Sequence, residues 1–150
     1  MSPATLWSVS HILRAVATAV VPESATLDAR AWGELESVIA RALADREPRV
    51  RQQIAAFLRF LQFLPFARHG KTLTGLSASE RTAFLESVER SPVMIIRRGF
   101  WGVRTLIFMG YYTRDDVGAA IGYRAHRDGW AARGLPITVT PLGPSLRLEP

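Results

Sequence analysis

The side chains best suited to proton chemistry near neutral pH are the three histidines, and they stand far apart, at His11, His69 and His126. None has a metal-ligating residue three or four positions away, the spacing that would put two ligands on one helical face. The chain has no cysteine, which removes thiolate ligands, disulfides and cysteine nucleophiles together. Carboxylates are paired at Asp115-Asp116 and at Glu34/Glu36. Adjacent or alternate residues on a helix point in different directions, so neither pair shares a site by local geometry. No GxSxG, HExxH or SxxK pattern occurs. Arg68-His69-Gly70-Lys71-Thr72 is a basic loop, but it lacks the glycine spacing and the preceding strand of a phosphate cradle. Catalysis would need distant groups to converge, and His69 with the Asp115-Asp116 turn is the pairing to look for. No catalytic, cofactor-binding or metal-binding residue is assigned from the sequence.

Binding chemistry is better represented. Ser91 to Tyr123 holds Phe100, Trp101, Phe108, Tyr111, Tyr112 and Tyr123 among aliphatic residues, with Arg97, Arg98 and Arg104 set inside the run. Aromatic and arginine side chains dominate the energetics of protein interfaces. Ser91-Pro92 reads as a helix start, with serine as cap and proline at the first helical position, and one helix fits as far as about Gly110. Val93, Ile96, Phe100, Val103, Ile107 and Tyr111 keep the spacing of a single apolar face. Gly99, Gly102 and Gly110 form a second, shallow face, each costing about 1 kcal/mol of helix propensity relative to alanine. That cost implies close approach by another backbone, from this fold or from a partner.

The elements that must position these residues are also helical. Ile12, Leu13, Val16 and Val20 share a face of a first helix, from about Ser8 to Val21, that Pro22 stops. Asp28 caps a second, and Pro48 opens a third with a stripe of Val50, Ile54, Leu58 and Leu61, ended by Pro65. Phe57, Phe60, Phe63 and Phe66 recur every three residues and read as packing against neighbouring helices. Ser77-Ala78-Ser79-Glu80 is a capping box. Thr113 is the expected cap of a short helix with Asp115 and Asp116 in its first turn and Gly122 at its exit. Gly134 to Pro150 has four prolines, no helical period and six Leu, Ile or Val residues. It reads either as a tail across its own domain or as an arm on a second protein, adding a strand through Ile137-Thr138-Val139-Thr140. The expected fold is therefore all-α: a small bundle of about five to six helices over residues 1–133, with an extended arm at 134–150.

Composition sets the outer limits. With 48% hydrophobic and 21% charged residues the chain is globular, and 150 residues make one domain. The net charge of +6 is concentrated toward the C-terminal part, where residues 91–150 carry eight basic and four acidic side chains. A nucleic-acid binder would show a denser basic stripe. No secretory signal is evident, Arg97-Arg98 is too deep in the chain for a twin-arginine signal, and the arginines of 91–112 argue against a membrane span.

The order of these segments resembles a known family. A helix ending AVATAVVP, a Phe/Leu-rich FLRFLQFLPF, a capped LSASERTAFLESVERSP and a long helix running into MGYYTRDDVGAAIGY are similar to the gluconate 2-dehydrogenase subunit 3 family. The specific part is Leu76 to Tyr123, about a third of the chain. The resemblance implies a non-catalytic small subunit that binds and stabilises a large FAD-dependent dehydrogenase of the glucose–methanol–choline type, in a hetero-oligomer. FAD would reside in the partner, and a cytochrome c could accept its electrons. The small subunit in that family often carries a twin-arginine signal, which this chain lacks; the expected location is the cytoplasm, or the periplasm if such a signal was removed. The residues expected to contact the partner are Phe100, Trp101, Arg104, Tyr111, Tyr112, Tyr123, Trp130, Ile137 and Val139. The competing reading is a basic helical module that binds nucleic acid or an anionic membrane surface.

Overall fold

The computed structural model describes residues 8–122. Within them the regular elements are all helical: α1 (Ser10–Val20), α2 (Ala29–Ala44), α3 (Pro48–Phe63), the single turn α4 (Phe66–His69), α5 (Ala78–Glu89), α6 (Met94–Tyr112) and α7 (Asp115–Ala120), with short 3-10 turns at Pro22–Thr26 and Leu73–Gly75. The chain is an all-α bundle. The expected arm at 134–150 lies outside the described residues.

Local chemistry accounts for most of the boundaries. Asp28 accepts a hydrogen bond from the Ala31 amide at 2.8 Å and starts α2. Pro48 stands at the first position of α3, where a missing N–H costs nothing. At α5 the capping box is complete: the Glu80 amide donates to the Ser77 hydroxyl at 3.3 Å, and the Ser77 amide donates to Glu80 Oε2 at 2.8 Å. Two starts differ from expectation. α6 begins at Met94 rather than Pro92, because the Ser91 hydroxyl accepts from the Val93 amide at 3.2 Å and folds Ser91–Val93 into a turn. Thr113 does not cap α7: its hydroxyl bonds back to the Met109 carbonyl, and Arg114 takes the cap position, held to Asp116 at 2.7 Å. Gly122 adopts φ 72°, the left-handed exit that glycine allows.

α6 is the hub. It packs most extensively on α2 and also touches α1, α3, α5 and α7. Phe100, Val103 and Ile107 are 2% exposed or less and meet Leu35 and Ile39 of α2, Val16 of α1, Leu58 and Leu61 of α3 and Leu85 of α5 in one core. The glycines of α6 divide by use. At Gly110 a Cβ would sit 3.0 Å from Leu35 Cγ and 3.1 Å from its carbonyl oxygen, so the α2–α6 crossing depends on its absence. At Gly99 a Cβ would lie 2.5 Å from the Phe57 ring. At Gly102 nothing lies within 4 Å. The close backbone approach inferred from the sequence is made within this fold at Gly110; at Gly99 the neighbour is a side-chain ring, and at Gly102 the position is open.

A buried polar link ties α1 to α2. Glu36 is 9% exposed, and its Oε1 accepts from Arg14 at 2.9 Å and from the Ser10 hydroxyl. The Arg14 guanidinium also lies 5.2 Å from the Trp32 ring centroid. A carboxylate this deep is tolerable only when hydrogen-bonded and paired.

Candidate docking surface

The outward face of α6 is built by the helical repeat itself. Positions 94, 98, 101, 105, 108 and 112 recur at alternating steps of four and three, on the side opposite Phe100, Val103 and Ile107. They place Met94, Trp101 and Tyr112 outward, with Phe108 partly buried against the core and Arg98 and Thr105 as the polar members. Met94, Trp101 and Tyr112 are 58%, 56% and 46% exposed. Arg104 binds this face together. It is salt-bridged to Glu89 of α5, and its guanidinium lies 6.0 Å from the Trp101 centroid and 5.1 Å from that of Phe108. Phe108 meets Tyr112 edge-on at 6.0 Å, and Tyr112 meets Tyr111 at 5.2 Å. Rings fixed in this way lose little conformational freedom on binding, which is how a preorganised surface gains affinity.

The same face leads into an open groove of about 640 Å³ between α3 and the first half of α6. Ile54, Phe57 and Phe60 form one wall, Ile95, Gly99 and Gly102 the other, and Arg98 stands at its mouth. Ile95 is 78% exposed. The groove exists because Gly102 carries no side chain and faces no neighbour.

The expected contact residues are sorted by this geometry. Trp101 and Tyr112 are presented outward, and Arg104 serves as the cation between two rings. Phe100 is corrected: at 2% exposure it fills the bundle core and offers no surface. Its position belongs to the Val103–Ile107 stripe, and the core stripe had been legible as such. Tyr111 is half-buried against the core; its phenol is pushed up chiefly by that burial, with a further contribution from the Glu23 carboxylate. Tyr123, Trp130, Ile137 and Val139 lie outside the described residues.

A second correction concerns three phenylalanines of α3 and α4; Phe57 packs against the core and α6 as expected. Phe60, Phe63 and Phe66 are 42%, 65% and 59% exposed and do not pack inside the bundle. Residues three apart are rotated by roughly 60° from one another on a helix of 3.6 residues per turn, so a run at this spacing walks off any one face. Leu58 and Leu61, both 0% exposed, hold the core side instead. The groove and these exposed rings are the features that reading by type and spacing missed. Plotting the run at 100° per residue would have found them.

The converging site does not form. His69 meets Phe84 edge-on at 6.5 Å and lines an open pocket with Glu80 and Ser87, while Asp116 is engaged by Arg114. Neither Asp115 nor Asp116 borders that pocket. The Arg114 hydrogen bonds hold the Asp116 carboxyl below its usual range and raise the guanidinium's own pKa, the signature of an ion pair. Among the described residues, no three His, Asp or Glu side chains are gathered as metal ligands, and no helix is long and apolar enough to cross a membrane. No known protein family, curated protein or solved structure matches the chain.

Proposed function

We propose that this chain is the non-catalytic small subunit of an oxidoreductase complex, holding a large FAD-dependent alcohol or sugar dehydrogenase through the outward face of α6. The observation that carries this reading is that α6 presents large apolar side chains outward as well as inward. Its inner face is the core of the bundle, and its outer face leaves Met94, Trp101 and Tyr112 about half exposed. Exposed aromatic side chains set beside arginine are the residue types that dominate binding energy at interfaces. The class of partner comes from the resemblance of Leu76–Tyr123 to the gluconate 2-dehydrogenase subunit 3 family. On this reading the flavin and the chemistry belong to the partner, a cytochrome c could take its electrons, and the chain works in whichever compartment, cytoplasm or periplasm, the partner occupies.

Replacing Trp101 and Tyr112 together by alanine tests the reading. Truncating one interface hot spot costs about 2 kcal/mol or more, roughly thirtyfold in affinity, so the double replacement should weaken binding of a yellow, flavin-containing partner to the tagged chain by more than that single-residue factor. The helical circular dichroism should be unchanged, since both side chains lie outside the core. Undiminished retention would defeat the assignment, and loss of the helical signal would return these residues to the core.

A further inference from the structure

The corner where α3 runs into α4 carries a second exposed apolar surface, which the docking face of α6 does not explain. Leu64 and Pro65 keep right-handed helical backbone between the two helices, so Phe63 and Phe66 follow Phe60 at successive rotations of roughly 60° that carry them away from the core face. Phe63 and Phe66 are 65% and 59% exposed, although leucines of the same helix are fully buried and the core is complete without these rings. The segment that carries them is basic, and the acid paired with it among the described residues is Glu80, through Lys71. From Pro48 to Ser79 the chain has five Lys or Arg residues and no Asp or Glu. Arg59, Arg68 and Lys71 surround the corner and are exposed. Arg59 donates to the Ser8 hydroxyl at 3.0 Å, and Lys71 lies 3.7 Å from Glu80, the nearest acid that follows.

We propose that this corner docks on an anionic lipid bilayer, with Phe63 and Phe66 entering the boundary between headgroups and acyl chains and Arg59, Arg68 and Lys71 set against the lipid phosphates. Rings projecting from a helix end with cations behind them match a surface that is anionic outside and apolar beneath. A nucleic acid would call for a longer basic track than three side chains at one corner. The proposal goes beyond the subunit reading and rests on different residues. Phe60 also walls the α3–α6 groove, so it is left untouched by the test.

The test is co-sedimentation of the full chain with vesicles, either of phosphatidylcholine alone or mixed with phosphatidylglycerol, at low and high salt. The chain should bind the anionic vesicles, with binding weakened by salt and by omission of phosphatidylglycerol. Phe63→Ser/Phe66→Ser and Arg59→Gln/Arg68→Gln/Lys71→Gln should each lower the partition coefficient about tenfold, in keeping with the joint apolar and electrostatic origin of interfacial binding. Phe63→Trp/Phe66→Trp should restore it, which separates loss of insertion from loss of folding. Failure to bind anionic vesicles, or equal binding by the serine variant, would overturn the proposal. So would a single-stranded oligonucleotide that binds through these same residues more tightly than the vesicles do. Trp101→Ala/Tyr112→Ala should leave vesicle binding unchanged and Phe63→Ser/Phe66→Ser should leave partner retention unchanged, so each reading can fail alone.

Discussion

Single residues decide where charge matters in this bundle. Glu80 is the clearest case. The Ser77 amide first, and then the Ser77 hydroxyl, hold its carboxyl below the usual range, with smaller help from Lys71 and His69. A carboxyl whose folded pKa is depressed stabilises the fold above its unfolded pKa, and that contribution disappears as pH falls through the folded value. The α5 start should therefore weaken on acidification below the ordinary glutamate range, about pH 4. Glu80→Gln keeps an acceptor oxygen but removes the titration. In thermal unfolding followed from about pH 6 to pH 3, the gap between wild type and Glu80→Gln should narrow as pH drops. A constant gap would show that the capping box gains nothing from the charge. Arg14 and Glu36 act differently, since Glu36 is nearly buried and Arg14 is 42% exposed on its side chain. Their pairing links α1 to α2 across the edge of the core.

At the scale of elements, the glycines of α6 separate two roles that look identical in the sequence. Gly102→Ala adds a methyl where nothing lies within 4 Å, so it should stabilise the isolated chain by up to about 1 kcal/mol through helix propensity. Gly99→Ala drives the Phe57 ring out of its place on α3, an overpacking that typically costs about 1–3 kcal/mol and outweighs the propensity gain. Urea unfolding of the two variants should move in opposite directions, and equal shifts would mean that α3 rests loosely on α6. The sequence made the helices legible because capping and proline placement act within a few residues: Asp28, Pro48 and Ser77 each start a helix where local chemistry requires. The inner stripe of α6 was legible for the same reason of periodicity. Its outer face was not, because periodicity turns Trp101 away from the Phe100 stripe but does not say whether another element of the chain covers it. The exposed phenylalanines of α3 were misread because hydrophobicity alone does not report direction. The site needs all of the bundle's crossings, and no single segment encodes them.

The whole molecule presents apolar surface in two directions from a common seam. The groove lies between the two elements that carry them, lined by Phe57 and Phe60 of α3 and by Ile95 and Gly102 of α6. Among the described residues the exposed large apolar side chains include both aromatic ones (Phe63, Phe66, Trp101, Tyr112) and aliphatic ones (Met94, Ile95), and these lie on α6 and at the α3–α4 corner. If α6 holds a flavoprotein while the α3–α4 corner rests on lipid, the chain is an adaptor that confers membrane attachment on its partner. The partner alone should then float free of anionic vesicles, and adding this chain should bring flavin absorbance down with them. Phe63→Ser/Phe66→Ser should abolish that recruitment without releasing the partner from the chain. Trp101→Ala/Tyr112→Ala should leave the chain on the vesicles and the flavin in solution. A methyl at Gly102, harmless to the isolated fold, should weaken recruitment if the partner approaches α6 as closely as the open space there allows. Flavin sedimenting equally with and without the chain would mean that the two surfaces do not work together.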